Sequence, residues 1–308
     1  MHIRNYFCLW LVCLIFAGET FAQSQRTVTV ITEPNATVWL NDILRGKTDE
    51  SGKLIIKPVS AGAHKIRVRA DGFKEAAQSI LAAQKGDVKI ALVKTDDKAE
   101  LAFQEAERMT TSDREKAVAA YRAAIAARPK YAEANLGLAR ILLAMSDYDG
   151  ALDAIKEARK ARPAYAEASA VEGRIYDSRE EEGDQTKAIA AFKRAITEGK
   201  NIQPEAQTGL GLLYKKRAEI AGSGSDYEAE EANYLLAVGH FKKAITQLSG
   251  APDAITIYQF LGLAYEKMKK YTEAIAVYEE FLRVFPDVNE ATAVQSFIVQ
   301  LKKEMSEQ

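Results

Sequence analysis

The 308-residue chain is poor in the residues on which much protein chemistry depends. It has two cysteines, Cys8 and Cys13, and both lie in the first 22 residues. If that segment is removed, disulfides, thiol catalysis and thiolate metal sites go with it. Of three histidines, only His64 and His240 lie beyond it, far apart in sequence. Neither sign of charge prevails, with Lys+Arg 42 against Asp+Glu 43 and a formal net charge of -1. That balance excludes the basic excess with which proteins displace counterions from nucleic acid. Proline is scarce at 7, which suits a mostly helical chain. The one long apolar run, Tyr6 to Gly18, is shorter than the roughly 20 residues that span a bilayer.

That run has the form of a secretory signal. His2 and Arg4 precede it, and Thr20 and Ala22 put small residues at −3 and −1 of a cut after Ala22. A retained anchor and a lipidated Cys13 are the alternatives; the first wants a longer run, and the second a small residue where Val12 stands. The expected location is secreted, periplasmic or at the cell surface, with no integral membrane span once the signal is cut.

From Arg26 to Lys94 the chain alternates in short strand-like runs. These are Thr27–Ile31, Ala36–Leu40, Lys53–Ile56, His64–Arg69 and Asp87–Val93, with Glu33-Pro34-Asn35, Asn41-Asp42 and Arg45-Gly46 read as turns. Such spacing predicts a small antiparallel sandwich. The stretch Thr32–Asp42, followed by Gly46-Lys47-Thr48, Pro58–His64 and Ala70–Phe73, resembles the PEGA domain, a β-sandwich of exported prokaryotic proteins. Asn35 stands where that family's tetrapeptide has Gly; Asn also tolerates positive φ. The resemblance implies location more than activity.

After Asp97 the pattern becomes Ala-rich and helical. Ala127–Ala134 and Ala161–Ala168 are near copies, and their prolines Pro129 and Pro163 lie 34 residues apart, a repeat period of helix-turn-helix units. With Tyr258, Gly262, Tyr271, Ala274, Tyr278 and Pro286 in the last unit, the array resembles tetratricopeptide repeats. The resulting expectation is a multidomain chain, with a small all-β sandwich followed by an all-α, tetratricopeptide-like, right-handed superhelical solenoid. The segments are a signal peptide at 1–22, the β domain at 26–94, and five repeats over 97–288 (about 97–130, 131–164, 165–203, 204–252 and 253–288). A capping helix fills 289–308, with Val294, Phe297, Ile298 and Leu301 on its inner stripe. The fourth unit carries about fourteen extra residues. Two longer helices account for them, projecting roughly 10 Å at 1.5 Å per residue. The tip is expected at Gly222–Asp226, with Ser225–Glu228 as capping box and Ile220 against Tyr227 and Tyr234 inside.

Metalloprotease, phosphate-loop and nucleophile-elbow motifs are all lacking. The acidic run Glu180–Asp184 lacks calcium-loop spacing and reads as a solvated turn. No catalytic residue, metal or cofactor is expected, and the chain reads as a non-catalytic scaffold for a protein or peptide partner. Binding of envelope polysaccharide, or an enzyme-accessory role, through the β domain is the alternative. In the resembled family the first helix of each unit lines a concave face. Carried over, that face comprises Glu133, Arg140, Glu167, Arg174, Asp177, Lys215, Lys216, Gln259 and Glu266, with Glu205, Thr208, Leu212 and Thr256 at matching positions. Arg140 and Arg174 are equivalent residues one repeat apart. They read either as a ladder with Glu133 and Glu167 or as a clamp for an acidic peptide.

Overall fold

A computed structural model describes residues 26–307, save 83 and 85. The signal-peptide reading, with both cysteines, lies outside the described residues.

Among the described residues seven strands come first: β1 (Arg26–Ile31), β2 (Thr37–Leu40), β3 (Ile43–Lys47), β4 (Lys53–Val59), β5 (His64–Arg69), β6 (Ala76–Ile80) and β7 (Asp87–Lys89). They form two sheets, ordered β4-β1-β7 and β3-β2-β5-β6. Alternation decides which side chains meet between them. Val28, Val30, Val38, Leu40, Ile66 and Val68 point inward and are buried, while Trp39, Lys65, Arg67 and Arg69 take the opposite face. Thr48 closes the loop before β2, accepting from the Ala36 amide at 2.8 Å and donating to the Glu33 carbonyl at 2.7 Å. Asn35 adopts the expected positive φ of 56°. His64 is structural, accepting from Asn41 Nδ2 at 2.8 Å and donating from Nε2 to the Ser60 carbonyl at 2.9 Å.

Two expectations are corrected in this unit. Asn41 and Asp42, at φ 52° and 62°, make a tight two-residue hairpin turn of the twist-matched kind. The chain then returns as β3, so Arg45 and Gly46 lie in a strand rather than a turn. The sandwich is also not wholly antiparallel, because β7 runs parallel to β1, with Val30 opposite Val88. The chain reaches β7 from β6 in the other sheet, and that crossover brings it in alongside β1 in the same direction.

Eleven helices follow among the described residues: α1 (Lys98–Met109), α2 (Arg114–Ala127), α3 (Ala132–Ala144), α4 (Tyr148–Ala161), α5 (Ala166–Arg179), α6 (Asp184–Glu198), α7 (Pro204–Ser223), α8 (Tyr227–Leu248), α9 (Ala254–Lys267), α10 (Tyr271–Val284) and α11 (Ala291–Ser306). The first ten pack as five consecutive hairpins, and α11 lies on α10. Close crossings need glycine opposite an aromatic ring. A Cβ on Gly262 would stand 2.3 Å from the Tyr278 ring, and one on Gly137 2.3 Å from that of Tyr121. Val294, Ile298 and Leu301 of α11 are buried, but Phe297 is half exposed.

The fourth hairpin, α7–α8, is long, at 20 and 22 residues. Its base is core, since Ala218 and Tyr234 are buried. The expected inner stripe at its tip is not formed: Ile220 is 61% and Tyr227 69% exposed, because no neighbouring hairpin reaches that far. Asp226, not Ser225, caps α8, accepting from the Ala229 amide at 3.0 Å. The acidic run before α6 is not wholly solvated either. Asp184 is fully buried and takes the fork of Arg179 at 2.8 and 3.0 Å. Hydrogen bonds from that guanidinium hold its carboxyl far below the usual range.

The β unit is fastened to the array at two places. Near its start, the Gly72 amide donates to Gln104 Oε1 and Gln104 Nε2 to the Phe73 carbonyl, both at 2.8 Å. The Arg69 guanidinium lies 4.5 Å from the Phe103 ring centre. Near the other end, Arg45 donates to the Ser249 carbonyl at 2.8 Å. Ile43 there joins the apolar cluster of α8 and α9, and Pro58 abuts Gly250.

Candidate ligand chamber

These two fastenings turn the outer face of the β3-β2-β5-β6 sheet towards the concave side of the array. The space between them is a chamber of about 1080 Å³. Its helical wall comes mainly from α1, α3, α5, α7 and α9, the first helix of each hairpin, with Phe192 of α6 and Leu248 of α8 behind them, and includes Leu136, Arg140, Arg174, Glu205, Leu212 and Phe260. Its other wall is the sheet, with Trp39, Lys65, Arg67, Arg69 and Glu75.

Of the residues expected on the concave face, Glu133, Arg140, Glu167, Arg174 and Asp177 line this chamber together. Lys215, Lys216, Gln259 and Glu266 do not line it. Lys215 pairs with Glu219 at 2.6 Å, Lys216 with Glu180 across to the α5–α6 turn, and Glu266 accepts from the Tyr278 hydroxyl at 2.5 Å.

The arginine ladder takes a different form from the one expected. Arg140 and Arg174 do not pair with Glu133 and Glu167. Both converge on Glu205 of α7, at 2.9 and 3.1 Å, and Glu133 pairs with Arg162. The curvature of the array brings α7 across to α3 and α5, so one carboxylate serves both. Burial pushes the Glu205 carboxyl up, but the two guanidiniums more than reverse it, leaving it below its ordinary value. A clamp for an acidic peptide is thereby occupied from within.

The sheet wall is also internally neutralised. Arg67 pairs with Asp42 and Glu75 at 3.2 and 2.9 Å, and Arg69 with Glu75 at 2.6 Å. Arg67 stacks over Trp39, 4.1 Å from the ring centre. The strict alternation of His64–Arg69 puts these cations on one face and was readable in the sequence. That this face is turned towards the array had no local signal. Gln203 and Asp253, which also line the chamber, sit at the starts of α7 and α9 and were not anticipated.

Residues 109–175 and 255–288 match the tetratricopeptide repeat family. Those two segments carry tetratricopeptide repeats. No curated protein matches the chain. Among solved structures, yeast Tom70 superposes with TM-score 0.53 at 15% identity, covering 68% of this chain and 41% of that one. A thermophilic tetratricopeptide protein of Thermus thermophilus gives 0.50 at 20%, covering 65% and 99%. Cut9 in its complex with Hcn1 gives 0.50 at 17%, covering 68% and 37%. These likenesses establish the solenoid fold. Proteins with such repeats mediate protein–protein interactions, binding protein or peptide partners.

Proposed function

We propose that this chain is an exported, non-catalytic scaffold, periplasmic or at the cell surface, which holds a protein or peptide partner in the chamber between its repeats and its β unit. One observation carries this reading: the inner side chains of all five first helices converge on a single open chamber, the surface that repeat arrays of this kind offer to ligands. The signal-like leader supports export, and the PEGA-like sequence of the β unit agrees with it. A photo-crosslinking amino acid in place of Thr208, facing the chamber, tests the reading against the same group in place of exposed Lys156 on α4. Adducts from the chamber position in cells of the source organism are expected, in an exported fraction. Adducts from the outer position alone, or protein confined to the cytoplasm, would defeat it.

A further inference from the structure

We infer that the chamber takes an extended peptide segment carrying Lys or Arg side chains among apolar ones, recognised by unneutralised carboxylates on its helical wall and by the side-chain amide of Gln203. This rests on the concave-face reading and adds the chemistry of the ligand.

Charge comes first. The chamber lining holds six cationic side chains and eight carboxylates. Five of the six cations, all of them arginines, are bound to carboxylates of the lining itself. Among the described residues, Glu107, Glu167, Asp177 and Asp253 make no ion pair. Burial pushes the carboxyls of Asp177 and Asp253 up. At Asp177 the more distant Lys216, and at Asp253 Arg140, offset burial only in part, and partly desolvated anions without an ion-pair partner are stabilised by an incoming cation. An acidic or phosphorylated ligand would meet this excess and find both wall arginines already bound to Glu205.

Two helix starts supply an independent observation. Asp97, Asp113, Asp147 and Asp226 each accept from amides of their own helix, as residues in that place normally do. Asp253, at the start of α9, makes no such bond and faces the chamber instead. Gln203, at the start of α7, is 5% exposed, and its side chain makes no capping bond. Its backbone amide is satisfied by Gln247 at 2.9 Å, while the side-chain amide, with a donor and an acceptor, has no partner among the described residues. The body of the residue is buried while the tip of its amide opens on the chamber, where its donor and acceptor are open to a ligand. The backbone of an extended peptide offers the matching carbonyl and N–H. Leu136, Leu212 and Phe260 provide the apolar part of the wall.

The test is fluorescence anisotropy on the full chain with three labelled ten-residue peptides: alternating Lys and Leu, alternating Glu and Leu, and alternating Ser and Leu. The basic peptide should bind at least about tenfold more tightly than the acidic one, with affinity falling as salt screens the contacts. Glu167→Gln with Asp253→Asn should weaken it about tenfold, the scale of two charge-assisted contacts. Asp253→Glu should keep the affinity. Gln203→Ala should weaken the basic and the neutral peptide alike, with unfolding checked by circular dichroism. Preference for the acidic peptide, or basic binding untouched by the carboxylate variants, overturns the inference. If a partner crosslinks at position 208 yet shows no preference for basic segments, the charge assignment falls and the concave-face reading stands.

Discussion

The fourth and fifth hairpins, α7–α8 and α9–α10, cross in the same way and end differently. In each, a glycine of the first helix lies under a ring of the second: Gly211 under Phe241, and Gly262 under Tyr278. In the fifth, the Tyr278 hydroxyl is bonded to Glu266 and the helices stop soon after. In the fourth, the helices run on through buried Ala218 and Tyr234 to exposed Ile220 and Tyr227. The extension is tied sideways by Lys216 to Glu180, Arg217 to Gln185 and Lys270 to Glu231. In a solenoid, core forms only as far as the neighbours on both sides can cover it. Past that point the same amphipathic sequence is surface.

Breaking the shared crossing should have the largest effect. Phe241→Ala empties a fully buried site in the crossing of the fourth hairpin and should cost about 3–5 kcal/mol in denaturant unfolding. Gly262→Ala forces a methyl group into the Tyr278 ring and should cost about 1–3 kcal/mol. Gly239 of α8 gives the opposite sign, because a Cβ added there would meet nothing within 4 Å. Gly239→Ala should gain up to about 1 kcal/mol from helix propensity alone.

A titration separates the two hairpins further. His240, next to Phe241, stacks on Tyr214 at 5.6 Å and donates from Nδ1 to Gln207 at 2.7 Å; the fifth hairpin has Val277 in that place. Burial, with help from Lys243 and Lys193, pulls its pKa down to about 4. The folded state therefore holds the neutral ring. The contribution of the neutral ring to stability is full above pH 6.5 and is lost as pH falls towards 4, by at most about 3.5 kcal/mol at about 1.4 kcal/mol per unit, and by less where solvent screens the ring's exposed edge. Thermal unfolding of His240→Gln should decline less over that window than that of the parent; equal declines would remove His240 as the cause.

The smallest effect is expected at the tip. Deleting residues 220–223 and 227–230, one turn from each helix, should change stability by no more than about 0.5 kcal/mol, because it removes surface. Deleting a further turn reaches Tyr234 and should cost several times that. If the first deletion already unfolds the array, the tip belongs to the core.

The periodic parts of this molecule were legible in its sequence. The 34-residue spacing of Pro129 and Pro163 and the Gly262–Tyr278 pairing are local signals, and they pointed to the solenoid of helical hairpins that the chain forms. The long-range relations were not legible. The strand β3 owes its existence to pairing with β2, and the parallel approach of β7 to a crossover between sheets. The exposure of Ile220 and Tyr227 follows from how far neighbouring hairpins extend, which their own sequence does not state. At the site, register put Glu133, Arg140, Glu167, Arg174 and Asp177 on the chamber wall, but it also pointed to Lys215, Lys216, Gln259 and Glu266, which do not line it. The partners of the two arginines were not legible, because Glu205 lies 65 residues from Arg140 and meets it only through the curvature of the whole array. The sheet wall was hidden for the same reason: alternation tells which side chains share a face, not what that face looks at.

Stacked hairpins touching only their neighbours behave as a spring, whose pitch small rotations at each joint can change. Here the β unit is bolted to the first helix through Gln104 and to the α8–α9 junction through Arg45 and Ile43. It therefore acts as a strut across the coil and sets its rest length. Tension along the array is borne first by those few contacts, and releasing either bolt would let four hairpins uncoil together while each stays folded.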